Sequence, residues 1–317
     1  MLEEYAIVPD VFNPLAYSKP EYADMCLAQL KSPLLHEALV RDLRDGAWSR
    51  FCLGEPGLHR LAGELLRKLA TRNRLCRCTA SGAGATTDAT AWGLESLATA
   101  SVKPLTGVIV GNATKVAAPF SKDARVASIE KLSGTNWWKN PCSQTVPRRT
   151  TAYLSLLARV LAQANSLMFV DPNLDPSSRN YKDFYKLLAP LGERQLKPRV
   201  EIHRSLRVGD GRCSTFPEEP EWKHRFSSLN VALCELGLTV EVFFWDDFHD
   251  RYLITDVIGL SVQAGFDTTT KEDDITTWGR LSSDDRDAWQ RHFDPAVRSG
   301  ALKSSILIGV NPSNTAA

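Results

Sequence analysis

The stretch Trp245-Asp-Asp-Phe-His249-Asp-Arg251-Tyr-Leu-Ile-Thr-Asp256 carries the residue types best suited to chemistry in this chain. His249 follows a polar turn, and Arg251 stands two positions on, at the start of an apolar run. Alternate residues of a strand share a face, so the two side chains point the same way at a strand mouth. An imidazole beside a guanidinium suits a phosphoryl group. The guanidinium fork holds two phosphate oxygens, and the imidazole attacks phosphorus or transfers a proton. Ile254 points to the opposite face, as half-buried alternation requires.

Other residues support or compete with that site. Asp171 and Asp175 flank Pro172 at the end of an expected strand, Leu167–Val170, where the clefts of α/β proteins gather; the same Asp-Pro is also a turn signal. His203, followed by Arg204 on another expected strand, either lines the same cleft or is partly buried. Asp246, Asp247 and Asp250 flank His249 in a composition a hard cation accepts, yet neighbours on a strand diverge, so no metal is expected. Ser81–Thr87 lacks the glycine and lysine spacing of nucleotide-binding loops and reads as a tight connector. Trp137 and Trp138, beside Lys139 and Arg148–Arg149, either stack bases or pack a long loop onto the core. No GxSxG or HExxH pattern is present, and no cofactor is expected.

The elements that must hold these residues follow from periodicity. Leu58, Leu61, Leu65 and Leu69 form an apolar stripe at helical spacing, and Leu34–Leu43 suggests a second helix, so the first third reads as mainly helical. Leu75–Thr79, Thr87–Thr99 and Leu105–Val110 then give strand, helix, strand. Residues 121–149 are polar and irregular and mark a division between a region 1–149 and a domain 150–317. In the second, helices at Leu154–Leu161, Tyr181–Leu188 and Trp222–Leu236 alternate with strands at Leu167–Val170, Val200–His203 and Thr239–Trp245. Strands at Arg251–Thr255 and Gly259–Ala264 follow. That order predicts an α/β fold: a mixed, largely parallel sheet sandwiched by helices and closed by an antiparallel hairpin.

Composition narrows the partners. Hydrophobic residues make up 43% of the 317 and charged residues 24%, which fits a globular chain. Lys+Arg number 38 against 37 Asp+Glu, so nucleic-acid or membrane binding must use a local patch. The longest apolar runs are too short to span a bilayer, and Glu3 and Glu4 stand where a signal peptide carries basic residues. A cytoplasmic chain is expected. The seven scattered cysteines, with no CxxC, agree with a reducing compartment and argue against a zinc knuckle.

The spacing His249-x-Arg251-x4-Asp256 resembles the HxKx4D motif of the phospholipase D superfamily, with arginine for lysine. It is similar to that of the family's nucleases and of the phospholipase-D-like domain of microtubule-interacting-and-trafficking proteins. The likeness covers about Thr150–Asp267, one half of a two-motif enzyme, and Gly265-Phe266-Asp267 stands near the family's Gly-Ser-x-Asn segment, displaced by about two residues. The resemblance implies a phosphodiesterase, and in a chain expected to be cytoplasmic a metal-independent nuclease. One histidine, His249, would form a phosphohistidine, and a second histidine would protonate the leaving oxygen. Asp256 would orient a histidine ring, and Asp171, His203 and Asp267 would line the substrate cleft.

None of His36, His59, His203, His224 and His292 repeats the motif. The partner histidine must therefore come from a second copy of the chain, in a homodimer. A degenerate first half within 1–149 is the alternative arrangement. The expected ligand is nucleic acid or another phosphodiester. The alternative function is an inactive module that binds a phosphate-bearing ligand or a protein partner, as an accessory subunit of a bacterial defence or DNA-processing complex.

Overall fold

A computed structural model describes residues 1–79, 88–209, 214–271, 273–298 and 301–309; the Ser81–Thr87 connector falls outside them. The chain divides into two compact units, Met1–Pro141 and Cys142–Ala317. The division precedes the expected one at 149/150, because Ser143–Pro147 pairs as an edge strand with the second unit.

The first unit is α/β from its first residues, which corrects the mainly helical reading. Strands β1 (Glu3–Ile7), β2 (Ala38–Asp42), β3 (Leu75–Cys78), β4 (Gly107–Val110) and β5 (Val126–Ser128) form an all-parallel sheet in the order β3-β2-β1-β4-β5. Helices α1 (Tyr22–His36), α2 (Leu43–Gly54), α3 (Arg60–Thr71), α4 (Ala89–Thr99) and α5 (Asn112–Val116) connect them. Strands β1 and β2 escape a periodicity reading because each carries a charge into the core. Arg41 Nε donates to Glu4 Oε1 at 2.8 Å, and both side chains are fully buried. The Arg41 guanidinium also donates to Thr99 Oγ1 and to the Lys103 carbonyl, so its burial is compensated. Trp137 and Trp138 pack on Tyr5, with ring centroids 5.8 and 4.9 Å away. They are core anchors here.

The second unit holds β6 (Ser143–Pro147), β7 (Ser166–Val170), β8 (Arg199–Ser205), β9 (Val240–Trp245), β10 (Tyr252–Thr255), β11 (Gly259–Val262), β12 (Ile275–Arg280) and β13 (Leu302–Ile308). They form one sheet in the order β13-β9-β8-β7-β10-β11-β12-β6. Among the described residues β7, β8 and β9 run parallel to one another and the other pairings are antiparallel, so the sheet is mixed, as expected, with the antiparallel pairs in the majority. The added antiparallel strands are short or polar, such as β6 with its exposed Ser143, Gln144 and Thr145, and give little apolar signal. The first sheet has no counterpart to the antiparallel run β10-β11-β12 among the described residues, so the two sheets do not repeat one topology.

Helices α6 (Thr150–Gln163), α7 (Tyr185–Gly192), α8 (Glu219–Arg225), α9 (Ser227–Leu236) and α10 (Ser283–His292) complete the unit. Gly237 ends α9 in the left-handed region at φ 61°, the C′ position for which its missing Cβ fits it. The two faces of the sheet bury different sets. Phe169 meets Phe184 and Phe266 edge-on at 5.2 and 5.1 Å, on the side covered by α6 and α7. Met168, Val170, Phe243, Trp245 and Ile254 form the opposite face with Phe293, and Tyr252 stacks near Trp289 of α10 at 4.4 Å. Helices therefore flank both faces, as the α/β reading requires.

Candidate functional site

The sheet order explains why His249 and Arg251 stand where they do. β9 and β10 are three strand positions apart, roughly 14 Å at the usual spacing, and the chain covers that distance in residues 246–251. Those residues reach at most about 20 Å when extended, so the connection is a short strap across the ends of β8 and β7. Asp246 pairs with Lys303 at 3.0 Å and Asp247 with Arg207 at 2.9 Å, which fixes its first half. The three aspartates thus diverge. Asp250 accepts from the Tyr252 hydroxyl at 3.4 Å.

His249 is exposed and lies on the strap, ahead of β10, instead of inside the strand. Arg251 is half-buried, immediately before Tyr252. Both line one open cavity of about 390 Å³ with Tyr252, Ser261, Gln263 and Thr277. Arg251 Nη1 donates to the His249 carbonyl at 3.1 Å, which ties the two residues together. Its Nε lies 3.8 Å from Asp171 Oδ1 and makes no hydrogen bond, so the guanidinium is held by charge and keeps unused donors.

Asp171 is the support beneath that arginine. Its carboxylate is fully buried at the end of β7 and accepts from Asn173 N at 3.0 Å, Tyr181 Oη at 3.0 Å and Phe266 N at 2.9 Å. Burial pushes its pKa above the usual carboxylate range, against the pull of those hydrogen bonds and of Arg251. Gly265, at φ 78°, lets the backbone close onto this carboxylate; a Cβ there would run into it. Asp267 pairs with Arg148, and burial again raises its pKa while Arg148 and Arg251 lower it. Asp267 Oδ1 and Arg148 Nε are buried and make no hydrogen bond, as is Arg251 Nε. These three buried atoms belong to one charge network, in which the groups are held by charge and not by a full set of hydrogen bonds.

Two of the expected residues lie elsewhere. His203 does not line the cleft: it is fully buried, stacked 4.9 Å from Phe243 and 5.8 Å from Trp245. Trp245 Nε1 donates to His203 Nδ1 at 3.0 Å, which leaves the proton of the neutral ring on Nε2, facing Glu201 Oε2 at 3.3 Å. Desolvation lowers its pKa, so it is a neutral core residue. Asp256 sits at the other end of β10, five residues and roughly 17 Å of extended chain beyond Arg251. It accepts from Asn165 N at 2.9 Å and Ser166 N at 3.4 Å, and so fixes the start of β7 instead of orienting His249 of its own chain. Sequence reading missed Arg148 as a partner of Asp267. Its only signal was the Arg148–Arg149 pair, which points to no particular acid.

Comparison with known proteins adds little at the level of sequence. No family model and no curated protein matches the chain. Among solved structures, a polyphosphate kinase from Porphyromonas gingivalis is similar at TM-score 0.32 and 14% identity, over 51% of this chain and 26% of that one. TrmBL2, an archaeal chromatin protein with a novel mode of DNA binding, is similar at TM-score 0.30 and 12% identity, over 54% of this chain and 56% of that one. This chain thus spans about a quarter and about half of those two. No described helix is long and apolar enough to cross a membrane.

Proposed function

We propose that the second unit binds a phosphodiester at the His249–Arg251 cavity and cleaves it by histidine attack. The observation that carries this reading is the shared cavity: an exposed imidazole and a half-buried guanidinium line one opening, above a buried carboxylate 3.8 Å from the arginine. Arg251 would hold two non-bridging oxygens, and His249 would attack phosphorus, expelling the leaving oxygen and forming a phosphohistidine. The leaving oxygen needs a proton and the phosphohistidine needs a water. His249 of a second copy would supply the first and activate the second, so the active form would be a homodimer.

One observation favours a second reading, a module that binds phosphate without turnover. No described carboxylate orients the His249 ring, because Asp256 is committed to the start of β7. A panel of single- and double-stranded DNA, RNA and phospholipid, assayed with chelator, separates the two readings. Cleavage in chelator that His249→Ala abolishes, with Arg251→Ala weakening both binding and rate, supports the enzyme; light scattering should then give a dimer. Binding lost in Arg251→Ala, with no turnover at any pH, supports the module. Cleavage that requires magnesium and survives His249→Ala defeats both.

A further inference from the structure

A second cavity in the same unit, about 680 Å³, is lined by residues of three segments distant in sequence. Six cations face it: Arg148, Arg149, Arg179, Lys182, Lys186 and Lys271. Two carboxylates, Asp183 and Asp274, oppose them. On a chain of net charge +1 this is a marked local concentration. Lys186 is neutralised by Asp183 at 3.0 Å, and Arg148 by Asp267. Among the described residues Arg179, Lys182 and Lys271 have no acidic partner within ion-pairing distance, and all three are exposed. The walls are tied to one another by main-chain hydrogen bonds. Thr268 N donates to Asn180 O at 2.8 Å, Thr269 N to Arg148 O at 3.0 Å and Arg148 N to Asp274 O at 2.9 Å. The groove is therefore built before any ligand arrives.

We infer that this groove is the track for the sugar-phosphate backbone of a single nucleic-acid strand. Its lining is cationic and threonine-rich, with no aromatic side chain, so it offers charge and hydroxyls to phosphates and no stacking surface to bases. Being recessed, it suits one strand better than the broad face of a duplex. Arg148 links it to the first cavity, because the Asp267 that it pairs with stands two residues after Gly265, which lies against Arg251. A strand seated here is thereby led toward His249. This inference rests on the phosphodiester reading of that site, but its test measures binding and not turnover.

The test is fluorescence anisotropy of the full chain with a labelled oligothymidylate, titrated at several salt concentrations in chelator. The three groove contacts should contribute about −2 to the log–log salt slope, roughly a twentyfold loss of affinity between 50 and 200 mM salt. Arg179→Ala, Lys182→Ala and Lys271→Ala should each flatten the slope by about 0.7, and the triple variant should abolish that dependence. Lys182→Arg with Lys271→Arg keeps the charge and should bind like the parent, which separates charge from any folding defect. Binding that follows the groove residues without any cleavage sustains the groove and defeats the catalytic reading of His249. Cleavage that is unchanged in the triple variant, with unchanged salt slope, overturns the groove. Inorganic polyphosphate that outcompetes the oligonucleotide at equal phosphate concentration overturns the choice of nucleic acid.

Discussion

Replacing Asp171 with alanine removes the support under Arg251 while leaving both cavity residues in place. The carboxylate accepts three hydrogen bonds in a fully buried position, from the Asn173 and Phe266 amides and the Tyr181 hydroxyl. Alanine leaves those donors without an acceptor, at about 1–3 kcal/mol each. Removing a desolvated charge returns part of that, so the net loss should be about 2–4 kcal/mol. Hydrogen exchange read by mass spectrometry reports each unit separately. Protection should fall in peptides spanning residues 166–173 and 252–266 and stay unchanged in peptides spanning 3–7 and 107–110. The pH dependence has a defined sign. Burial raises the native pKa of Asp171, so the folded chain holds that proton more tightly than the unfolded one. The parent therefore loses stability as pH rises from the ordinary carboxylate range through the raised native value. Alanine has no such loss, and the gap between the two should narrow across that window. Unchanged exchange at the Asn173 and Phe266 amides would refute the reasoning, because the carboxylate would not then be their acceptor.

Gly265→Ala should lower the urea midpoint by an amount equivalent to about 1–3 kcal/mol, since it combines a positive φ with a Cβ aimed at Asp171. A midpoint equal to the parent's would show that the turn can relax. In the first unit, Arg41→Met leaves Glu4 buried with only Lys103, at 3.4 Å, and should cost about 3–5 kcal/mol. The double variant Glu4→Leu, Arg41→Met should cost less than the single; the reverse order would mean that the pair is not desolvated as described. His203 should show the Nε2-protonated tautomer by nitrogen NMR and stay neutral below the ordinary histidine range, because burial lowers its pKa. Its contribution to stability is full above the unfolded pKa and is lost as pH falls through the native one. A ring that titrates at its ordinary value would place it outside the aromatic stack.

What could be read from the sequence was whatever folding writes locally. The runs Leu167–Val170 and Val240–Trp245, the helix stripe Leu58–Leu69 and the stop at Gly237 are neighbours' patterns, and each falls within a few residues of the structure. β1 and β2 were hidden by Glu4 and Arg41, which read as surface charges until their pairing across two strands is known. β6 was hidden by its exposed, polar edge position. At the site, the spacing of His249 and Arg251 placed them at one strand mouth. Spacing could not show that Asp256 belongs to the far end of that strand, or that Trp245 and Phe243 enclose His203. The basic groove was illegible for the same reason. Arg148, Lys182 and Lys271 are separated by long stretches of chain and meet only when β6, α7 and the residues after β11 have packed.

The strap at residues 246–251 also sets an order on folding. β7, β8 and β9 pair in parallel through the helical connections that precede the strap, whereas β10 must bring Tyr252 back against Val170. Such a non-local pairing pays its loop-closure entropy before its contacts form, so it belongs late on the path. Until β10 arrives, one side of β7 is an open edge carrying Leu167, Phe169 and Val170, the kind of strand edge that recruits other chains. Closing that edge and bringing His249 and Arg251 to their cavity are one event. A chain stalled before it offers neither, and its hazard is self-association through β7.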